Sequence, residues 1–166
     1  MAVAVSMHAS AASAQHVAPL TELTRDAMTR CEAAEGVPAF QLAIALTAAL
    51  DRAEEAVRVS PQDPVAHFAV FCSLAKRARL NSIGSGLLAV LSDIRRAKRE
   101  LDIALTLAPG YPGALAAKGA MLMELPWFLG GDRNEGERLL QRAVALDPAD
   151  PEMRTMLTKT VQGPRR

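Results

Sequence analysis

Residues 140–148 read Leu-Gln-Arg-Ala-Val-Ala-Leu-Asp-Pro, a short amphipathic stretch that runs into a proline. Two earlier segments end in the same way. Residues 53–61 read Ala-Glu-Glu-Ala-Val-Arg-Val-Ser-Pro, and residues 101–109 read Leu-Asp-Ile-Ala-Leu-Thr-Leu-Ala-Pro. Proline cannot continue a helix, and it disfavours helical backbone at the residue before it. The three segments therefore predict three helices with the same ending, which indicates an internal repeat.

Small residues recur at a fixed spacing before each proline. Residues seven apart lie on one face of a helix, and Ala or Gly on that face lets a second helix approach closely. This spacing predicts tightly packed helix pairs. The aligned positions are Ala49, Ala53 and Ala56 before Pro61, Ala97, Leu101 and Ala104 before Pro109, and Gly136, Leu140 and Ala143 before Pro148.

The helices that follow two of these prolines also have a recognisable start. Pro64 and Pro151 suit the first turn of a helix, where the missing N–H has no partner to lose. Asp63 and Asp150 come directly before them and are candidate N-caps. Between residues 125 and 132 lies a turn, and Asp132 is the candidate cap of the helix after it.

These features resemble the tetratricopeptide repeat (TPR). The stretch 112–148 is similar to a whole repeat: Leu115, Gly119 and Leu122 occupy positions where the family has a large residue, a glycine and an aromatic, although Lys118 departs from the pattern. The resemblance implies an all-α solenoid of about three helical hairpins, over residues 20–61, 62–109 and 110–148. A capping helix would span 151–161, after a tail over 1–19 and before a frayed terminus at 163–166.

The second and third repeats are longer than the family's repeat, and the first has a long second helix. Pro61 and Pro109 are 48 positions apart and Pro109 and Pro148 are 39 apart, against a repeat of about 34 residues. In the first repeat we expect helices over 21–35 and 39–59. In the second, the long helix begins after a break at 81–86 with an apolar stripe, and Phe71 stands where the family has its glycine. The stripe comprises Leu87, Leu88, Leu91 and Ile94.

An unusual turn separates the last pair of helices, because it contains Trp127 and Phe128 followed by two glycines. Turns are generally polar. We expect these aromatics to fold back over the helices as a hydrophobic plug, since exposing them is costly. The alternative is an exposed patch for binding or self-association.

The two cysteines and the N-terminus bear on the compartment. Cys31 and Cys72 have no close partner at metal-ligand spacing, so they are either a disulfide between neighbouring helices or two buried free thiols. Ala12-Ser13-Ala14 has the small-x-small form of a signal-peptidase site, although no positive segment precedes it. Export to the periplasm and a cytoplasmic protein with a disordered tail both stay open.

Composition and motifs argue against several functions. The net charge is +1, which supplies no field for nucleic acid, and the basic run at 95–100 reads as a solvated helix face. No stretch reaches the roughly 18 to 20 apolar residues of a membrane span. The sequence also lacks phosphate-binding and nucleophile motifs, and His8, His16 and His67 are isolated. We therefore expect no enzyme activity, no cofactor and no metal site.

The expected function comes from the resemblance. In the TPR family the first helices of the repeats line a concave face, which here would be apolar and would lack the Lys, Asn and Arg of a carboxylate clamp. We expect a scaffold that binds an apolar segment of a protein or peptide partner. A transport accessory subunit with a small apolar ligand and a self-assembling homo-oligomer are the alternatives. The candidate residues are Val65, Phe68, Cys72, Ala75, Ala116, Ala120 and Met123.

Overall fold

Seven α-helices and two short 3₁₀ turns account for nearly all of the chain that the computed structural model describes, residues 21–81 and 87–162, and no strand occurs there. The all-α prediction is confirmed. The predicted tail and signal-peptidase site, the break after Asn81, and the frayed C-terminus lie outside the described residues. The helices are α1 (Glu22–Ala33), α2 (Ala39–Val59), α3 (Pro64–Asn81), α4 (Leu87–Leu107), α5 (Pro112–Glu124), α6 (Arg133–Leu146) and α7 (Pro151–Gln162), with 3₁₀ turns at Ala34–Gly36 and Trp127–Leu129.

The proline-terminated segments end as the sequence predicts. The helices α2, α4 and α6 each end two residues before their proline. At each end the next backbone N–H still donates to the carbonyl four residues earlier: Ser60 to Ala56 at 2.8 Å, Ala108 to Ala104 at 2.9 Å, and Asp147 to Ala143 at 3.0 Å. The three endings share one geometry because they share one local sequence pattern.

The helix starts also match the predicted caps. Asp63 Oδ1 accepts the backbone N–H of Val65 at 2.9 Å, and Asp150 Oδ1 accepts that of Glu152 at 2.8 Å. Asp132 Oδ1 accepts the N–H of Glu135 at 3.0 Å. Each carboxylate satisfies a donor that the first turn of a helix leaves unpaired.

Consecutive helices pack as hairpins, α1 with α2, α3 with α4, and α5 with α6, and α7 packs on α6. The first helix of the stack ends earlier than predicted, at Ala33, because the chain tightens into the 3₁₀ turn before Pro38. Elongated second helices occur in the first two hairpins, where α2 and α4 have 21 residues each against 14 in α6.

The first helices of neighbouring hairpins run parallel. Near the start of α1, Thr24 Oγ1 donates to Asp63 Oδ2 at 2.7 Å, and near its end the carbonyl of Cys31 accepts from Lys76 Nζ at 2.8 Å. The same holds for α3 and α5: the rings of Phe68 and Tyr111 meet near their starts, with centroids 5.1 Å apart. Near their ends Arg79 pairs with Glu124 at 3.2 Å.

Parallel first helices place equivalent connections at the same end of the stack. We call the end where α1, α3 and α5 finish and α2, α4 and α6 begin the turn edge. The other end, which holds Pro61, Pro109 and Pro148, is the proline edge. The surface formed by α1, α3 and α5 side by side is the first-helix face.

The core divides into two clusters of buried apolar side chains. The first joins α1 to α4 and includes Leu50, Val70 and Leu74, with Phe71 packed against it. The second joins α5 to α7 around Leu115, Leu140 and Met153, and Leu105 of α4 packs against it. The nine aligned small-spacing positions are all buried, as predicted: Ala49, Ala53, Ala56, Ala97, Leu101, Ala104, Gly136, Leu140 and Ala143.

Candidate interaction surfaces

The first-helix face holds fewer of the predicted binding residues than expected. Val65 and Ala116 are buried, so neither is available to a partner, and Met123 packs into the second core cluster. The assignment of Val65 and Ala116 to an open groove is wrong, whereas Met123 is only partly buried. Burial follows from the neighbouring helices, which close over these positions. Phe68, Ala75 and Ala120 remain half-buried on this face.

Cys72, also predicted on this face, is bonded to Cys31 of α1. The bond joins the first two parallel helices across 41 residues of sequence, so of the two alternatives the structure has the disulfide and not two free thiols. Its effect on the face is structural, because neither sulfur is left to act as a nucleophile or a ligand.

An aromatic cluster crosses from the second hairpin to the third. Phe68 stacks on Phe71, with ring centroids 5.5 Å apart, and meets the edge of Tyr111. Burial, with lesser contributions from Glu32 and Asp63, raises the pKa of the Tyr111 hydroxyl well above its usual range. Phe71 and Tyr111 were not among the interaction residues predicted from the sequence. The i, i+3 spacing of Phe68 and Phe71, and the place of Tyr111 just before Pro112, could have indicated the cluster.

The lone His67 has a specific pairing that the sequence did not indicate. Its Nδ1 lies 2.7 Å from Glu100 Oε2, and its Nε2 lies 3.0 Å from the carbonyl oxygen of Pro61. A carbonyl oxygen only accepts, so the contact with Pro61 is a hydrogen bond donated by Nε2, while Nδ1 faces the Glu100 carboxyl group. Glu100 therefore does not belong to a solvated face, and that expectation is wrong at this position. The pair locks α3 to α4.

Charged side chains gather on the outer side of the first hairpin, around an open depression of about 520 Å³ lined partly by Leu23 and Asp26. Asp26 accepts from Arg52 Nε at 2.6 Å and from Arg30 Nε at 3.0 Å. These hydrogen bonds, that from Arg52 first, lower the pKa of Asp26. The carboxylate stays ionised and paired, which suits an ion-pair cluster and not a general base.

The turn between α5 and α6 is an exposed, internally bonded loop. Trp127 is 84% exposed and Phe128 is 67% exposed, so the hydrophobic-plug interpretation is wrong. The reason is local. Gly130 has a φ of 87°, and a Cβ on Gly131 would lie 1.8 Å from the carbonyl oxygen of Leu125. The two glycines fold the backbone back on itself beneath the aromatics, and the side chains point away from the helices.

Hydrogen bonds hold that loop in place. The N–H groups of Leu129 and Gly131 both donate to the carbonyl of Pro126, at 2.9 and 3.0 Å, and that of Asp132 donates to the carbonyl of Leu122 at 2.9 Å. The rings of Trp127 and Phe128 meet edge to face, with centroids 6.0 Å apart. The two aromatics are thus presented on a defined backbone.

In the described parts of the chain, no three His, Cys, Asp or Glu side chains gather closely enough to hold a metal ion. None of the described helices is long and apolar enough to cross a membrane. No protein-family model matches the sequence, and no curated protein shows significant similarity to it.

Proposed function

We propose that this chain is a TPR-like, non-catalytic protein-interaction module that binds an apolar segment of a partner on its first-helix face. The observation that carries the proposal is the parallel alignment of α1, α3 and α5, which places the first helices of all three hairpins on one side of the stack. Such a surface can receive an extended or helical segment along its length.

The part of the face that suits a partner lies between α3 and α5. Ala75 and Ala120 each stand one helical turn before a member of the Arg79–Glu124 pair, so they lie on the same side as that pair. Both are small and half-buried, and Phe68 lies further along α3. The Arg79–Glu124 pair and the aromatic cluster would bound a shallow apolar strip. This arrangement favours the binding of an apolar segment over the binding of a C-terminal carboxylate.

Export is part of the proposal. The Cys31–Cys72 disulfide supports an oxidising compartment, since disulfides persist outside the cytosol and are rare inside it. A periplasmic scaffold protein would account for both the disulfide and the interaction surface.

Site-specific photocrosslinking in the native host tests the proposal. A benzophenone amino acid at position 75 or 120 should give a discrete adduct with another protein, whereas the same residue at Ala145, which is exposed on α6, should not. Ala75→Glu and Ala120→Glu should abolish the adduct formed from the other position, while Ala145→Glu leaves it unchanged. Adducts of equal yield from all three positions, or adducts unaffected by the glutamates, would refute the proposal.

A further inference from the structure

The disulfide between α1 and α3 is buried unequally at its two ends. Cys31 is fully buried, with 0% of its surface exposed, whereas Cys72 on α3 is only half-buried. Thiol–disulfide exchange begins when a thiolate attacks one of the two sulfurs, and access helps to decide which one. The unequal burial leaves Cys72 as the end of the bond that an attacking thiol can reach.

Cys72 lies beside the strip between α3 and α5. Ala75 follows it by three residues and lies on the same side of α3. An attacking sulfur approaches in line with the S–S bond, opposite the sulfur that departs. Because the departing sulfur belongs to Cys31 of α1, the line of attack lies on the side of α3 away from α1. The first helix on that side is α5, which contacts α3 through Phe68 and Tyr111.

A positive charge lies beside the residue whose sulfur would depart. Lys76 stands one turn after Cys72 on α3, and its Nζ donates to the carbonyl oxygen of Cys31 at 2.8 Å. A nearby cation stabilises a thiolate, and a more stable thiolate is the better leaving group. The surroundings of Cys31 therefore favour its departure although it is buried.

Other contacts keep α1 in place when the bond opens. Thr24 still donates to Asp63 of α3 at 2.7 Å, and Asp26 still accepts from Arg52 of α2 at 2.6 Å. Ala27 of α1 also belongs to the first core cluster. Exchange therefore loosens the end of α1 and does not require the first hairpin to unfold.

We propose that the Cys31–Cys72 disulfide is a thiol-exchange site that opens from the first-helix face. A thiolate attacks Cys72 Sγ and forms a new S–S bond with it. The electron pair of the old bond leaves on Cys31 Sγ, which then takes up a proton from solvent. The attacking thiol is thereby oxidised to a mixed disulfide and Cys31 is reduced. The proposal goes beyond the interaction function, because it assigns a chemical reaction to one bond and needs no docked partner.

Trapping of the mixed disulfide tests which sulfur is attacked. The oxidised protein is treated with glutathione in native buffer, quenched with excess N-ethylmaleimide and mapped by peptide mass spectrometry. Glutathione on Cys72 with maleimide on Cys31 should exceed the reverse pattern by about tenfold or more. Equal amounts of the two patterns, or glutathione mainly on Cys31, would overturn the proposal.

The rate of opening shows whether the folded protein is attacked directly. It should rise in proportion to the glutathione concentration and stay nearly constant in urea below the unfolding transition. A rate that reaches a plateau with glutathione and increases steeply with urea would mean that the bond opens only after unfolding. That result would also overturn the proposal.

Ala75→Trp tests the direction of approach, because the larger side chain would cover Cys72 from the strip. It should slow opening by about tenfold, and Ala145→Trp, at an exposed position on α6, should leave the rate unchanged. A destabilised protein would open faster, so slowing reports the covered sulfur. An unchanged rate in Ala75→Trp, or equal slowing in Ala145→Trp, would contradict attack over the strip.

Cys31→Ala distinguishes a small-molecule thiol from a cysteine of a partner protein. In this variant the free Cys72 exchanges with a disulfide of the incoming thiol, and no internal cysteine can displace the adduct. Protein recovered from the native host should carry either a small thiol on Cys72 or a reducible protein adduct. Cys72→Ala is the control, since its remaining cysteine is buried, and it should carry neither. Adducts in equal amounts on both variants, or on neither, would refute the proposal.

Discussion

The close approach of α5 and α6 depends on two glycines. A Cβ built on Gly136 of α6 would lie 2.6 Å from Met123 Cγ and 2.7 Å from the carbonyl oxygen of Gly119, and a Cβ on Gly119 would lie 2.7 Å from the carbonyl oxygen of Gly136. Backbone therefore meets backbone at this crossing. The spacing of small residues in the sequence already indicated such an approach, and the structure identifies which pair makes it.

Gly136→Ala should destabilise the protein although alanine is the better helix former. Overpacking of this kind costs about 1–3 kcal/mol, and the gain in helix propensity offsets up to about 1 kcal/mol of it. We expect a net loss of about 1–2 kcal/mol in the free energy of unfolding, measured by urea denaturation.

Gly113→Ala is the control for that substitution. Gly113 lies near the start of α5, and its added Cβ would meet only side-chain carbons of Tyr111 and Phe68, at 3.5 and 3.6 Å. These are ordinary contacts, so the variant should be neutral or gain up to about 1 kcal/mol. If Gly136→Ala behaved like Gly113→Ala, the α5–α6 crossing would not need the glycine.

At the scale of helices, one covalent bond and two polar contacts join α1 to α3. The Cys31–Cys72 disulfide lies near the end of α1, close to where Lys76 donates to the carbonyl of Cys31, and the Thr24–Asp63 hydrogen bond lies near its start. α1 is the first described helix, and its helical neighbours in the described chain are α2 and α3.

Reduction of the disulfide should lower stability by about 2–4 kcal/mol, because it frees a loop of 41 residues in the unfolded chain. Urea denaturation with and without reductant measures the loss. A Cys31→Ala/Cys72→Ala variant should resemble the reduced protein and should not respond to reductant. An unchanged midpoint for the reduced parent would mean that the packing of α1 does not depend on the bond.

The helices and their ends could be predicted from the sequence, whereas the surfaces could be predicted only in part. Helix ends depend on residues within one turn, such as Pro61 with Ser60, or Asp150 with Glu152, and these are adjacent in the sequence. Burial depends on neighbours that are distant in the sequence. Val65 and Ala116 are covered by helices whose packing no local pattern fixes, so they were placed on an open face.

The turn between α5 and α6 shows the same limit of prediction from sequence, because its aromatic side chains were expected to be buried and are exposed. Apolar side chains favour burial on average, so Trp127 and Phe128 were expected to fold inward. Gly130 and Gly131 set the outward direction of these side chains. The sequence alone does not show that the backbone of Gly131 lies against that of Leu125.

The whole molecule has two apolar centres that meet at α4. Ala97 belongs to the first cluster, and Leu105, two turns later on the same helix, packs against the second. Further links between the two parts include the Phe68–Tyr111 contact, the Arg79–Glu124 pair and an ion pair between Lys118 and Asp102. Two of these links are polar and partly exposed, and such pairs contribute little stability.

A stack of this kind should unfold in parts when one centre is weakened. Each unit of a solenoid contacts only its neighbours, so its stability is the sum of local terms and interfaces. Leu74 and Leu140 are both fully buried, one in each cluster, and replacing either with alanine should cost about 2–5 kcal/mol. Leu140→Ala should therefore accelerate native-state hydrogen exchange in α5, α6 and α7 while α1, α2 and α3 keep most of their protection. Leu74→Ala should give the reverse pattern. If each variant instead lowered protection by the same amount along the whole described chain, α4 would couple the two centres into one cooperative unit, and the links across α4 would be much stronger than their exposure indicates.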